Sequence, residues 1–238
     1  MAILSHAGIR IGEQMSNLNH ARVAIIDYEA GNLFSVHHAC KAVGLEPVIT
    51  RTAKEVAEAD AVILPGVGAF GPAMENLRKL DLVLPLLDFA KSGKPLLGIC
   101  LGMQLLFTES EEFGNHKGLG IIPGNVVRFP LKSEKKIRVP QIGWNRLQKP
   151  SKDVDPWFHT ALKHVPNGSF MYFVHSYYVQ PNDSKHILSL SNYGGIEYCS
   201  AIIEGNVTAT QFHPEKSADE GMKIYRYWAK HITTCKES

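Results

Sequence analysis

One cysteine of this chain stands in a sequence that suits a nucleophile. Cys100 follows an apolar run and has a glycine two positions away on either side, in the segment GICLG at 98–102. This is the form of a nucleophile elbow, in which a sharp turn between a strand and a helix lifts one side chain above the sheet. The following helix N-terminus favours a thiolate, and the N–H of Leu101 faces the position of a developing oxyanion. A cysteine outside a disulfide is more often a buried structural residue, but the elbow spacing favours a reactive Cys100.

A histidine and a carboxylate after a later strand-like run would supply the base that such a cysteine needs. His213 and Glu215 are separated by one proline, after the run at 206–212. Residues i and i+2 of an extended chain face the same way, and Pro214 favours that geometry, so Glu215 would orient the imidazole toward Cys100. His175 is the second candidate for the base, although its aromatic neighbours favour a histidine packed inside a strand.

The glycine-rich loop at Gly66–Gly71 admits three interpretations. Its residues match GxGxxG between a strand and a helix, which is typical of a dinucleotide-binding turn. That match is weak, because it follows the third strand and the next strand ends in cysteine instead of an acidic residue. A tight turn that needs glycine is the second interpretation. A loop whose N–H groups face a reacting carbonyl is the third, and the neighbouring cysteine elbow favours it.

The overall composition is that of an ordinary globular protein. Of 238 residues, 45% are hydrophobic and 20% charged, which excludes disordered, collagen-like and coiled-coil chains. The net charge of +2 gives no reason to expect nucleic acid or a membrane as partner, and no apolar run approaches the roughly 18 residues of a membrane helix. None of the four cysteines forms a CxxC pair. We therefore expect a cytoplasmic protein with reduced thiols, no metal site and no cofactor.

The elements that must position these residues alternate in the first half of the chain. Short apolar runs predict strands at 22–28, 46–50, 61–64 and 95–100, and helical spacing predicts helices at 32–43, 53–58, 72–80, 82–91 and 101–112. This alternation predicts the α/β class, with an open, mostly parallel central sheet and flanking helices.

The second half changes to strand-like runs separated by turns. These runs occupy 120–129, 137–147, 170–179, 186–191, 198–203 and 206–212, with a hairpin turn at 204–206. We expect antiparallel strands that extend one edge of the sheet or form a small sheet of their own. A last helix at 218–231 is indicated by Ser217 and Glu220 at capping-box spacing. Residues 1–20 show no periodicity and are predicted to be an extension of unknown role, which leaves 21–238 as one domain.

Three motifs together resemble those of the class-I, or triad-type, glutamine amidotransferases. They are PGVGAFG at 65–71, GICLGMQLLF at 98–107 and QFHPEKS at 211–217. Three further segments are similar to the amidotransferase subunits of imidazole glycerol phosphate synthases: DYEAGNLFSV at 27–36, QIGWN at 141–145 and YFVHSYY at 172–178. The resemblance runs from about Arg22 to His231 and implies a flavodoxin-like form of the predicted fold.

The resemblance implies a catalytic role for five of the matching residues. Cys100 would attack the side-chain amide of glutamine and form a thioester. His213 would take the thiol proton and deliver one to the departing ammonia, while Glu215 orients His213. The N–H groups of Val67 and Leu101 would form the oxyanion hole.

The same resemblance implies the residues that surround the substrate. Gln104, Glu112 and the backbone around Ser176 and Tyr177 would hold the amino-acid end of glutamine. Gly66 and Gly68 would lie beside the oxyanion hole, in a loop that can rearrange a peptide. A solvated helix face is the alternative explanation for Gln104 and Glu112.

The resemblance also implies a partner chain. Three residues match positions at the synthase interface: Trp144, Tyr172 and Lys216. Core packing would equally explain the two aromatic residues, and Lys216 would equally suit an ordinary surface position. The partner would be a (βα)₈-barrel cyclase that uses the ammonia to make imidazole glycerol phosphate and aminoimidazole carboxamide ribotide in histidine biosynthesis. Because the motifs occupy nearly the whole length, we expect the ammonia-consuming site on another chain. The alternative that the chain is a paralogous glutaminase, which serves a sugar-amidating synthase, stays open.

Overall fold

Strands and helices alternate through the first half of the protein. The computed structural model describes residues 21–29, 31–130, 137–151 and 154–237, so the predicted extension at 1–20 lies outside the described residues. The elements are β1 (Arg22–Ile26), α1 (Leu33–Ala42), β2 (Glu46–Thr50), α2 (Ala53–Glu58), β3 (Ala61–Gly66), α3 (Phe70–Lys79), α4 (Val83–Lys91), β4 (Leu96–Cys100) and α5 (Leu101–Leu105). The four strands pair in parallel in the order β2-β1-β3-β4, which confirms the predicted α/β class.

The second half widens this sheet and adds a small one. Its elements are β5 (Phe107–Ser110), β6 (His116–Lys117), β7 (Ile122–Arg128), β8 (Gln141–Arg146), β9 (Phe170–His175), β10 (Tyr177–Pro181), β11 (Ile187–Tyr193), β12 (Ile196–Glu204), β13 (Val207–Thr210) and α6 (Ala218–Glu237). β13 lies parallel to β4, and the sheet continues as β13-β12-β10-β7-β5-β6 with β11 paired to β12. β8 and β9 form a separate antiparallel sheet. The later strands therefore do both things that were predicted as alternatives: some extend one edge of the large sheet, and two form a small sheet of their own.

The helix predicted at 101–112 is wrong beyond its first turn. α5 ends at Leu105, and β5 begins at Phe107 and runs parallel to β7. Leu105, Leu106 and Phe107 are all fully buried. A short buried apolar run has no periodicity that separates helix from strand. Pairing with β7, a strand later in the chain, decides the outcome.

The strand predicted at 170–179 is interrupted at Ser176. β9 ends at His175 and pairs with β8, whereas β10 begins at Tyr177 and pairs with β7 and β12 in the large sheet. The carbonyl of Ser176 accepts a hydrogen bond from the N–H of Phe129 at 3.0 Å. One continuous β-rich run therefore serves two sheets, and the junction between them becomes available to a site.

The last helix begins at Ala218 as predicted, but its first residues do not form the predicted capping box. The Ser217 hydroxyl accepts a hydrogen bond from the N–H of Tyr172 at 3.0 Å and donates one to the carbonyl of His213 at 2.6 Å. Glu220 pairs with Lys223 at 2.6 Å. Ser217 therefore fastens β9 to the segment before α6. Among the described residues, no helix is long and apolar enough to span a membrane.

Two glycines allow α5 to lie tightly against the parallel strands. A Cβ added at Gly102 would strike the carbonyl of Leu64 on β3. A Cβ added at Gly98 would approach the Cβ of Ala209 on β13 to 2.9 Å and the Leu106 side chain to 3.0 Å. This close packing fixes the junction between β4 and α5, where Cys100 lies.

Gly102→Ala tests this packing. We expect it to lower the free energy of unfolding by about 3 kcal/mol, because the added methyl group must displace the backbone of β3. Gly93→Ala is the matched control, since Gly93 has a φ of 80° but open space around the position of a Cβ. In this control the free energy of unfolding should fall by only about 1 kcal/mol, because alanine is strained at a positive φ. Urea unfolding measures both losses, and equal losses would contradict the packing explanation.

Candidate active site

Cys100 is held in a strained backbone conformation at the carboxyl end of the parallel strands. Its φ is 56° and its ψ is −108°, outside the regions that residues other than glycine normally adopt. It is the last residue of β4, and α5 begins at the next residue. Strain of this kind concentrates at functional sites. The geometry is that of the predicted elbow, and the catalytic role of Cys100 stays a prediction.

A cleft of about 250 Å³ opens beside Cys100. This is slightly less than the 300–1,000 Å³ of pockets for drug-sized ligands, so the cleft suits a small metabolite. The loop after β3, the helix α5 and the β9–β10 junction contribute its walls. Nine residues singled out from the sequence line it: Val67, Gly68, Cys100, Leu101, Gln104, Glu112, His175, Ser176 and Tyr177.

The two predicted oxyanion donors lie side by side at the top of neighbouring strands. The ladder between β3 and β4 ends with Gly66 opposite Cys100, so Val67 and Leu101 follow at the same level. The Tyr28 hydroxyl donates to the carbonyl of Pro65 at 2.6 Å and occupies the place that a Cβ of Gly66 would need. Tyr28 therefore fixes the start of the loop, and glycine is required at position 66.

His213 and Glu215 meet in the buried space beside Cys100. Nδ1 of His213 lies 2.8 Å from Oε1 of Glu215, and both side chains are almost completely buried. The extended geometry predicted for this segment is wrong, because residues 214–216 form a 3-10 turn with Pro214 at its first position. Proline suits the first turn of a helix. The tight turn, not an extended chain, brings the carboxylate to the imidazole.

The charge of His213 follows from its neighbours. Burial alone would lower the pKa of His213, but the adjacent Cys100 and Glu215 outweigh burial and raise the pKa to about 10. His213 is therefore protonated at neutral pH. The attraction of Cys100 for the imidazolium is the largest cause of this rise. An imidazolium beside a cysteine favours the thiolate.

His175, the second candidate for the base, lies in the wall of the cleft in a neutral form. Burial lowers the pKa of His175 to about 4, and its Nδ1–H donates to the carbonyl of Tyr177 at 2.8 Å. Its ring packs between Phe129 and Tyr198, with centroids 5.3 Å and 5.4 Å away. A group with so low a pKa accepts protons poorly at neutral pH. The packed strand histidine is therefore the better description.

Gln104 and Glu112 place acceptor oxygens at the cleft. Nε2 of Gln104 donates to the carbonyl of Tyr177 at 3.0 Å and to Oε1 of Gln211 at 3.1 Å, which leaves its Oε1 for a ligand. Oε2 of Glu112 accepts the N–H of Phe70 at 2.7 Å. Burial raises the pKa of Glu112. Neither residue lies on a solvated helix face, since both are buried.

The position of Glu112 also bears on the dinucleotide interpretation of the glycine-rich loop. That interpretation places a pyrophosphate at the N-terminus of the helix after the loop, which is α3. The first N–H of α3, from Phe70, already binds the Glu112 carboxyl group. A phosphate there would meet an acidic side chain instead of open N–H groups. The structure therefore disfavours a dinucleotide at Gly66–Gly71.

The three predicted interface residues form one cluster next to His213. The rings of Trp144 and Tyr172 are 6.2 Å apart, and Nζ of Lys216 lies 5.9 Å from the centre of the Tyr172 ring. Trp144 is 54% exposed, so core packing does not explain it. Both backbone groups of Tyr172 are bonded to the segment of the base, the N–H to Ser217 and the carbonyl to the N–H of His213.

The sequence analysis missed the surroundings of this cluster and one residue beside Cys100. Side chains alternate along β8 and β9, and one face of this small sheet presents Ile142, Trp144, Phe170, Tyr172 and Val174, which we call the aromatic face. Ile142 and Phe170 are 65% and 47% exposed. Period-2 alternation was the available signal. Gln211, inside the motif QFHPEKS, donates to Sγ of Cys100 at 3.6 Å.

Comparisons with known proteins agree on one family. The family model "Glutamine amidotransferase class-I" matches residues 24–230. The "Imidazole glycerol phosphate synthase subunit HisH" of Geobacter metallireducens is 45% identical over 215 residues, which covers 88% of this chain and 98% of the relative. The protein of the same name from Aquifex aeolicus is 45% identical over 221 residues, which covers 90% of this chain and 100% of the relative.

A solved structure with lower sequence identity supports the fold. PurLQS from Thermotoga maritima aligns with a TM-score of 0.68 at 18% identity, and the alignment covers 90% of this chain and 99% of that one. At this level of identity the likeness concerns the fold alone. It shows that the same α/β architecture is shared with a distant protein.

His213→Gln tests the charge at Cys100. Because the pKa of His213 is raised to about 10, its imidazolium persists across neutral pH, and iodoacetamide should alkylate Cys100 faster in wild type than in the variant between about pH 6 and pH 9. At pH 7 the rate in the variant should be about tenfold lower, because the sulfur loses the neighbouring positive charge.

Mass spectrometry of the alkylated peptide assigns the reaction to Cys100. The control is His159→Gln, which changes an exposed histidine near Pro95, at the opposite end of β4. This control should keep the wild-type profile. Identical profiles for wild type and His213→Gln would show that His213 does not set the charge of the sulfur.

Proposed function

Because the chain belongs to the class-I glutamine amidotransferase family, we propose that it is the glutaminase subunit of an imidazole glycerol phosphate synthase. The observation that carries this assignment is the 45% identity to synthase subunits over most of this chain and nearly all of theirs. The strained cysteine, the protonated histidine and the small cleft support the reaction. The relatives' synthase name favours histidine biosynthesis over a sugar-amidating pathway, and we place the activity in the cytoplasm.

The first chemical step is attack by Cys100 on glutamine. The thiolate forms a bond to the carbon of the side-chain amide, and the electron pair of the carbonyl moves to its oxygen. We assign the N–H groups of Val67 and Leu101 to this oxyanion, because both residues line the cleft beside Cys100. Such donors act strongly in a buried site, where one of them is worth about 3 kcal/mol of transition-state stabilisation.

His213 then moves protons in both directions. Its imidazolium gives a proton to the amide nitrogen, the C–N bond breaks, and ammonia leaves a glutamyl thioester. Neutral His213, held by Glu215 through Nδ1, takes a proton from water at Nε2 as the water attacks the thioester. The C–S bond breaks with the thiolate as the leaving group, which restores the thiolate and imidazolium, and the product carboxyl group loses its proton to solvent as glutamate leaves.

The ends of the substrate are recognised by acceptors already fixed in the cleft. The free Oε1 of Gln104 and the buried carboxyl group of Glu112 suit the ammonium group of glutamine. The backbone at Ser176 and Tyr177 lines the same wall. Because Gln104 is held by two hydrogen bonds before substrate arrives, little side-chain entropy is lost when glutamine binds.

We propose that the aromatic face binds the ammonia-consuming partner, a (βα)₈-barrel cyclase. Exposed aromatic side chains of this kind are typical of interface centres. The face is continuous with the site, since Val174 belongs to it while the Val174 carbonyl lies 3.8 Å from Sγ of Cys100. Tyr172 is hydrogen-bonded to the segment of His213. Partner binding on β9 would therefore reach both the nucleophile and the base, with Lys216 at the mouth of the ammonia path.

Cys100→Ala tests the reaction. With the cyclase present, we expect the variant to lose synthesis driven by glutamine and to retain synthesis driven by added ammonia, because only the ammonia source is removed. Cys40→Ala, which changes a buried cysteine on α1, is the control and should retain both activities. Product formation is measured with each nitrogen source. Undiminished use of glutamine by Cys100→Ala would refute the assignment.

Trp144→Ala tests the partner surface. Truncation of a central interface aromatic typically costs at least 2 kcal/mol, so the Kd for the cyclase should rise about thirtyfold. Phe158→Ala is the control. The exposed fraction of Phe158, 53%, is nearly that of Trp144, but Phe158 adjoins His159 at the far end of β4. Its Kd should stay within about twofold of wild type. Calorimetry measures both, and equal effects would place the interface elsewhere.

A further inference from the structure

Gln211 is a completely buried polar residue that touches the nucleophile. It follows β13, and its backbone N–H donates to the carbonyl of Ser200 on β12 at 2.9 Å. Its Nε2 donates to Sγ of Cys100 at 3.6 Å, and its Oε1 accepts from Nε2 of Gln104 at 3.1 Å. One side chain therefore bridges the nucleophile and a residue of the substrate cleft.

The orientation of both amides follows from their partners. The carbonyl of Tyr177 can only accept, so Gln104 must direct its Nε2 at it. The second hydrogen of the same Nε2 points at Gln211, which must present its oxygen there. Nε2 of Gln211 is then left for the sulfur. The backbone carbonyl thus determines that Cys100 receives a donor and not an acceptor.

We propose that Gln211 is a further catalytic residue of the glutaminase reaction, which stabilises the Cys100 thiolate and couples it to the substrate position at Gln104. The proposal rests on the glutaminase function given above. A hydrogen bond to an ionised acceptor in a buried site is among the strong ones. The carbonyl of Val174, 3.8 Å from the sulfur, favours the thiol, so the thiolate needs a donor such as the amide of Gln211.

Gln211 differs from His213 in having no proton to transfer. His213 loses its positive charge when ammonia departs and must regain a proton before the next cycle. The amide of Gln211 remains a donor throughout, including the moment when the thioester breaks and the sulfur leaves as a thiolate. It therefore contacts the sulfur both in the thioester, when the imidazole is neutral, and in the departing thiolate.

The test compares iodoacetamide alkylation of Cys100 across pH in wild type, Gln211→Met and Thr210→Val. We expect Gln211→Met to alkylate about tenfold more slowly at pH 7 and to shift its pH–rate midpoint upward, because the sulfur loses a donor. Thr210→Val is the matched control: it removes a buried hydrogen bond to the Phe212 carbonyl one residue earlier, without contact to the sulfur. It should keep the wild-type midpoint. A Gln211→Met profile that matches wild type overturns the proposal.

Gln211→Glu provides a second measurement if the methionine variant fails to fold. Glutamate keeps the shape and the oxygen that accepts from Gln104, but an ionised carboxylate beside the sulfur would oppose the thiolate. Alkylation at pH 8 should fall at least about tenfold, and an unchanged rate overturns the proposal.

Steady-state kinetics in the cyclase complex separates this proposal from the assigned function. Gln211→Met should lower kcat for glutamine about tenfold and raise KM, since Gln104 loses a partner, while ammonia-dependent synthesis stays at the wild-type rate. A change in KM alone would overturn the catalytic role. If wild type itself hydrolyses no glutamine, the assigned function fails, while the alkylation profiles still decide whether Gln211 stabilises the thiolate.

Discussion

The strained backbone conformation of Cys100 governs how the elements around it must pack. Such a conformation persists only where the surrounding packing over-determines it. β3 and β13 flank β4 on its two sides, and α5 lies so close to β3 that no methyl group fits at Gly102. The buried parallel sheet thus holds one sulfur above its edge, and the cleft, Val67, Leu101 and His213 are arranged around that point.

The second organising feature is buried charge, because a buried charged group is stable only beside groups that compensate its charge. His213 is kept protonated by the sulfur and by Glu215, although burial opposes its charge. The sulfur in turn has a donor in Gln211, which is held by Gln104. An unpaired charge in this environment would be costly. The polar groups therefore form one connected set, and the neutral His175 shows what burial does to an imidazole without a carboxylate partner.

Much of this architecture is local enough to be predicted from the sequence. Strands β1 to β4 lie within a residue or two of their predicted runs. β1, β3 and β4 are buried almost throughout and read as continuous apolar segments, whereas β2 lies at the exposed edge of the sheet. Cys100, His213 and Glu215 could be selected because glycine spacing and a proline restrict the backbone over a few residues. The elbow and the histidine–glutamate contact are short-range features, so residue types alone were sufficient to indicate them.

The remaining features depend on contacts between distant parts of the chain, which no local pattern contains. The end of α5 at Leu105, the break at Ser176 and the diversion of Ser217 from helix capping to Tyr172 each result from a partner far away in sequence. The bridge from Gln104 to Gln211 and on to Cys100 spans more than a hundred residues. Short-range geometry and buried apolar runs therefore suffice to predict the candidate reactive groups and the fold class. The charges of His213 and His175, the direction of each amide in the bridge and the exposure of the aromatic face depend on the tertiary structure, because solvation and pairing are set by neighbours in space.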